Sequence, residues 1–202
     1  MRLGRAILIW SVLVGAVAGP IVAAASSPLL AWRDPIYVSA GFAGVGALGV
    51  LLIQPLLIGG YLPGLSAYHR RRVHRWIGGL LVVAVVIHVS GLWFTSPPDV
   101  VDALLFASPT PFSAWGVIAM WAIFSAALWA AARRRLRLSP RLWRIGHTFL
   151  AIVIVVGSVV HCILVEGTME TLSKAVLCAL VVAATMKVIV DMRVWSRRKS
   201  AG

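Results

Sequence analysis

Four histidines carry the chemical signal in this sequence: His74, His88, His147 and His161. Each pair is separated by 14 residues. On a helix that is nearly four whole turns, so both members of a pair share one face, roughly 21 Å apart along the axis. A neutral imidazole is the commonest protein metal ligand. If the two helices run in the same direction, His74 stands level with His147 and His88 with His161. Two such levels suit two stacked haems, each held by one imidazole from either helix. Iron bound in this way has no vacant position, which favours electron transfer over oxygen activation. Gly78, Ala84, Ala151 and Gly157 lie one turn from the histidines toward the midpoint of their helices, where a missing side chain would admit a macrocycle edge. Two plainer readings compete: polar residues packing between helices, and a path for transition metals. His69, among arginines, reads as a solvated loop residue.

The elements that would position these residues are long and apolar. Of the 202 residues, 60% are hydrophobic and 12% charged. Between short charged clusters run apolar stretches of roughly 20 residues, the length needed to cross about 30 Å of hydrocarbon. Irregular backbone cannot face lipid, so the fold class is all-α, an integral membrane six-helix bundle occupying residues 1–202 as a single domain. The expected helices span about 6–25, 37–58, 74–94, 112–132, 145–165 and 172–194, with haems between the third and fifth. Pro28, Pro35, Pro63, Gly64, Pro97, Pro98, Pro109, Pro111 and Pro140 punctuate the loops.

The net charge of +13 would suggest nucleic acid if it formed one basic face. Instead it falls in clusters: Arg2 and Arg5; Arg70, Arg71, Arg72 and Arg75; Arg133, Arg134, Arg135, Arg137, Arg141 and Arg144; Arg193, Arg197, Arg198 and Lys199. All lie at the two ends or at even-numbered connections. Odd-numbered connections hold Arg33 and Lys174 beside Asp34, Asp99, Asp102, Glu166 and Glu170. Positive residues mark cytoplasmic loops, so both termini are expected in the cytoplasm of a multi-pass protein of the cell inner membrane, with membrane lipid as partner and no nucleic acid. The first helix, with Arg2 and Arg5 before it and Ala23, Ala24 and Ala25 after, also fits a cleavable signal peptide. Cys162 and Cys178 read as small buried hydrophobes. No CxxCH occurs, which excludes covalent c-type haem attachment.

The stretches RRVHRWIGGLLVVAVVIHVSGLW (residues 71–93) and RLWRIGHTFLAIVIVVGSVVHCIL (141–164) resemble the haem-binding helices of the ferric reductase-like transmembrane superfamily. That superfamily includes ferric-chelate reductases and the membrane half of NADPH oxidases. Its pattern has two histidines on each of helices three and five, with an aromatic and a basic residue near the inner ones. The matches are His74 with Trp76, His88, His147 with Trp143 and Arg144, and His161. The resemblance implies two b-type haems per chain with these four histidines as axial ligands, a cytoplasmic electron source and an acceptor at the outer face. Arg72, Arg75 and Arg144 stand where they could pair with haem propionates, a role that competes with plain topology signalling. Phe149 or Trp121 is a candidate for the electron path, against a packing or lipid-facing role.

The chain also departs from the superfamily. Reductases and oxidases of this kind commonly continue into a flavin and NADPH module, whereas this sequence stops soon after the sixth helix. Its one GxGxxG, GVGALG at Gly44 to Gly49, lies inside an apolar run without the strand and acidic residue of a dinucleotide site. It reads as a helix-packing face. No flavin or NAD(P)H site is expected, so the donor would be a cytoplasmic flavoprotein reductase or a membrane quinol. The acceptor would be a ferric chelate or a periplasmic reductase. The related haem subunit of a periplasmic methionine sulfoxide reductase is the second reading; that branch tends to carry a basic residue at the position of His74. A histidine-containing metal or solute transporter is the third. It would call for inverted repeats or broken helices, and neither inverted repeats nor prolines in helices three and five are seen.

Overall fold

The computed structural model describes residues 2–133, 135–167 and 169–192. Seven α-helices follow one another: α1 (Arg2–Ala25), α2 (Pro35–Gly59), α3 (Ala67–Thr95), α4 (Pro97–Leu104), α5 (Pro111–Ala132), α6 (Pro140–Leu164) and α7 (Thr171–Asp191). A short 3-10 turn, Pro28–Leu30, joins α1 to α2. All but α4 are long and apolar enough to cross a membrane, and the described residues contain no strand. The chain is a multi-pass membrane protein. Residues 193 and 194, expected to close the last helix, and Arg134, Arg193, Arg197, Arg198 and Lys199 of the basic clusters lie outside the described residues.

Local chemistry sets the helix ends. Asp34 caps α2, accepting from the backbone N–H of Ile36 at 2.7 Å, and Glu170 caps α7 through Leu172 and Ser173. Carboxylates suit helix N-termini because they satisfy free N–H groups and oppose the positive end of the dipole. At the arginine-rich end, serines do this work: Ser66 caps α3 and Ser139 caps α6. Pro35, Pro97, Pro111 and Pro140 stand at first helical positions, where the absent N–H costs nothing. α2 ends on Gly60 in the left-handed region, φ 77°, a conformation glycine adopts without a Cβ penalty.

These caps correct the expected boundaries. α3 starts at Ala67 and α6 at Pro140, so His74 and His147 lie two turns inside their helices, each eight residues after its serine cap. The Arg70–Arg75 cluster is therefore helical. His69 is also helical, its Nδ1 2.8 Å from the Ser66 hydroxyl. α4 is a departure from the expected loop: Pro97 and Pro98 read as loop punctuation in the sequence, whereas proline at a first position starts a helix.

α3 packs principally on α2 and α6 principally on α5, while α7 braces α2 and α6, and α1 lies against α2 and α7. Small residues let the backbones approach, as they must where lipid offers no hydrophobic drive. A Cβ built on Gly91 of α3 would lie 2.7 Å from that of Ala40, and one on Gly157 of α6 would lie 3.0 Å from that of Ala119. The glycine run of α2 is only partly a packing face. Gly49 meets Val17 of α1, but Gly44 meets a histidine ring. At the arginine-rich end Tyr61 donates to Asp191, which also pairs with Lys187 at 2.8 Å, tying the α2–α3 turn to α7. The hydrogen bond to that carboxylate raises the Tyr61 pKa.

Two helical hairpins, α2–α3 and α5–α6, form a repeat running in the same direction. His74 and His147 are 73 residues apart, as are His88 and His161 and the caps Ser66 and Ser139. This is not the inverted repeat of a transporter.

Candidate functional site

α3 and α6 make no extended backbone contact with each other; four histidines meet across the space between them. The His74 and His147 rings have centroids 6.2 Å apart with planes at 78°. Those of His88 and His161 are 6.4 Å apart at 81°. Midway between the levels, on the histidine face of each helix, stand Leu81 and Ile154, both buried. An apolar layer thus separates two polar ones.

The second level is held by neighbouring helices. His88 Nδ1 donates to the Ala40 carbonyl of α2 at 2.7 Å, and His161 Nδ1 to the Phe112 carbonyl of α5 at 2.9 Å. Spending Nδ1–H this way leaves Nε2 as the unprotonated nitrogen. The approach needs glycine one turn along. A Cβ on Gly44 would lie 3.0 Å from His88 Nδ1, and one on Gly116 would lie 2.7 Å from His161 Nδ1. The acceptor carbonyls and these two glycines were missed in the sequence. Their trace is the repeated GVGA of residues 44–47 and GVIA of 116–119.

At the first level, buried His147 Nδ1, Gln54 Oε1 and Trp129 Nε1 find no hydrogen-bond partner, and His74 Nδ1 has only a loosely placed acceptor, the Gln54 backbone carbonyl. Orphaned buried polar atoms are rare and call for an explanation. Gln54 of α2 reaches Gly78, one turn from His74, and Trp129 of α5 lies against Gly146, beside His147. Trp143 packs edge-on to His147 with centroids 4.4 Å apart, and the Arg133 guanidinium sits 5.2 Å over Trp143.

Other expected residues are placed differently. Arg72, Arg75 and Arg144 are exposed. Arg144 shares the face of its histidine, whereas Arg72 projects roughly 160° away from His74 at 100° per residue. Trp76 and Phe149 likewise sit two residues beyond their histidines, on the far side of the helix, and both are exposed. Exposed Trp121 contacts Phe124. The midpoint residues on the histidine faces are therefore aliphatic. Gly78 and Gly157 are filled by Gln54 and by α5, so they serve packing within each hairpin. Lys174 is buried inside α7, not in a loop, and its ammonium donates to the carbonyls of Ile163 (3.3 Å) and Val165 (2.8 Å). It ties down the end of α6 just past His161.

The sequence pattern described as "Ferric reductase like transmembrane component" matches residues 40–158, more than half of the chain. The chain belongs to this family. The match takes in α2 to most of α6, with His74, His88 and His147, and stops three residues before His161. None of the curated proteins and none of the solved structures compared matches the chain. In this ferric reductase-like domain α1 lies before the matched segment and packs on it through Leu13 and Val17.

The histidine geometry fits the cofactor that this family's resemblance implies. Two metal–imidazole bonds of about 2 Å laid end to end, with a ring behind each, span roughly the observed centroid separations. The loosely held or unpartnered Nδ1 atoms at the first level and the fixed Nδ1–H groups at the second both leave ring nitrogens available for a metal.

Proposed function

We propose that this domain is a membrane electron-transfer component that holds two b-type haems, one between His74 and His147 and one between His88 and His161. The observation that carries this is the meeting of both histidine pairs at nearly the same spacing across two helices whose backbones stay apart. A bis-histidine haem exchanges a single electron between ferric and ferrous states without opening a coordination position. The protein's part is to hold and orient. Ala40 and Phe112 fix two rings through their carbonyls, Trp143 braces a third, and Leu81 and Ile154 keep water from the middle layer.

Direction follows from charge. Arginine-rich helix ends belong in the cytoplasm, which puts the His74–His147 level inside and the His88–His161 level outside, in a bacterial-type inner membrane. With a negative interior, outward movement of one electron across the full membrane is favourable by about 2.3 kcal/mol per 100 mV. The donor is a cytoplasmic flavoprotein or a membrane quinol, and the acceptor a ferric chelate or a reductase at the outer face. Reporter fusions at the C-terminus and within the α4 segment, Asp99 to Asp102, are expected to report opposite compartments. The same compartment for both would overturn the topology.

The haem count tests the reading directly. Protein purified after expression with ample haem should carry about two non-covalent haems per chain, with six-coordinate spectra. A stably folded protein that takes up none would refute it.

A further inference from the structure

At the arginine-rich end a cavity of about 310 Å³ lies between α1 and the turn that joins α2 to α3. Arg5, Ala6 and Ile9 of α1 line one side, and Gly60, Tyr61 and Pro63 the other. Its volume is at the small end of the range for ligand sites. One arginine beside it differs from its neighbours. Arg71, Arg72 and Arg75 are exposed, as charges that only mark topology should be. Arg70 is half-buried, and its guanidinium lies against Gly60, where a Cβ would overlap it. The nearby carboxylate is already engaged. Asp191 pairs with Lys187 at 2.8 Å and accepts from the Tyr61 hydroxyl, and the Lys187 ammonium sits 5.0 Å over the Tyr61 ring. Among the described residues neither Arg5 nor Arg70 is paired with a carboxylate. Two uncompensated positive charges thus stand beside the apolar start of α1.

We propose that this cavity binds the phosphate of an anionic glycerophospholipid, with Arg5 and Arg70 as its partners. A guanidinium presents forked N–H donors that match two phosphate oxygens at once. Ala6 and Ile9 then lie against the first carbons of an acyl chain. The same turns of α1 expose Leu3, Ile7 and Leu8, so the cavity borders hydrocarbon, and a soluble anion gains nothing from that border. Basic pockets between helices at a cytoplasmic face are the usual place for such headgroups, each arginine adding about fivefold in affinity. Bound there, the lipid bridges α1 to the α2–α3 turn. Which leaflet supplies it rests on the topology argued above; the affinity does not.

The test uses the purified full chain in micelles of a neutral detergent. Native mass spectrometry follows binding of phosphatidylglycerol, of phosphatidylcholine with the same acyl chains, and of inorganic phosphate. The expected result is one phosphatidylglycerol per chain, held roughly tenfold or more tighter than phosphatidylcholine and not displaced by millimolar phosphate. R5Q and R70Q should each weaken it by about fivefold or more. R71Q removes the same charge from an exposed neighbour and should bind as the unaltered chain does. Equal binding of the two lipids, or an R71Q loss as large as that of R70Q, would mean diffuse attraction and overturn the site. Displacement by inorganic phosphate would make it a free-anion site and overturn the lipid. Helix and haem content are measured on the same samples. If R70Q does not fold, R5Q against R71Q decides alone, and failure of the haem or topology reading is seen separately.

Discussion

His88→Ala should purify with about half the haem of the unaltered protein, and His161→Ala should lose the same half, because the two rings form one level. His74→Ala and His147→Ala should lose the other half. Each single variant leaves one full histidine pair standing, with buried Leu81 and Ile154 between the levels, so the losses should be independent. The two levels should differ in tenacity. His88 and His161 are held by the Ala40 and Phe112 carbonyls at hydrogen-bond distance, while His74 meets the Gln54 carbonyl only loosely and His147 Nδ1 has no partner. Partners of this kind commonly contribute about 10–100-fold to metal affinity. Haem should therefore wash out of the His74–His147 level first during purification. Absorbance spectra and haem per chain measure both effects. Two haems with unchanged spectra in His88→Ala would sink the ligand assignment.

Gly116→Ala should empty or badly weaken the His161 level, although glycine 116 touches no metal. The added methyl would sit 2.7 Å from His161 Nδ1, closer than contact allows, and the ring can yield only by giving up its bond to the Phe112 carbonyl. Overpacking a fitted site costs about 1–3 kcal/mol, or roughly tenfold to a hundredfold in haem affinity. Gly44→Ala, at 3.0 Å from His88 Nδ1, should act in the same direction with a smaller effect. Gly46→Ala provides the control: nothing lies within 4 Å of its Cβ position, so haem content and helix content should stay as they were. Haem titration of the three variants checks the order. Equal behaviour of Gly116→Ala and Gly46→Ala would show that the glycine does not make room for the ring.

Much of this protein was readable along the chain because membrane helices obey local rules. Six apolar runs of spanning length, the alternation of arginine and carboxylate at their ends, and two histidine pairs at a four-turn spacing are one-dimensional patterns, and each has a one-dimensional cause. What failed locally failed for stated reasons. Ser139 as a cap and Pro97 as the start of α4 were hidden by proline's habit of marking loops as well as helix starts, and Ser66 by the run of arginines after it, which reads as a loop.

The rest depended on which helix packs on which. An acceptor carbonyl is present at every residue, so nothing in the identity of Ala40 or Phe112 marks it as the partner of a histidine 48 or 49 positions away. Gly44 and Gly116 look like the other glycines of apolar helices until a ring is found against them. Lys174 counted as a loop charge until α7 turned it onto the end of α6. Hydrophobic periodicity tells a helix that it has an inner face. Only close packing between helices, set by where small residues let backbones approach, decides what that face will meet.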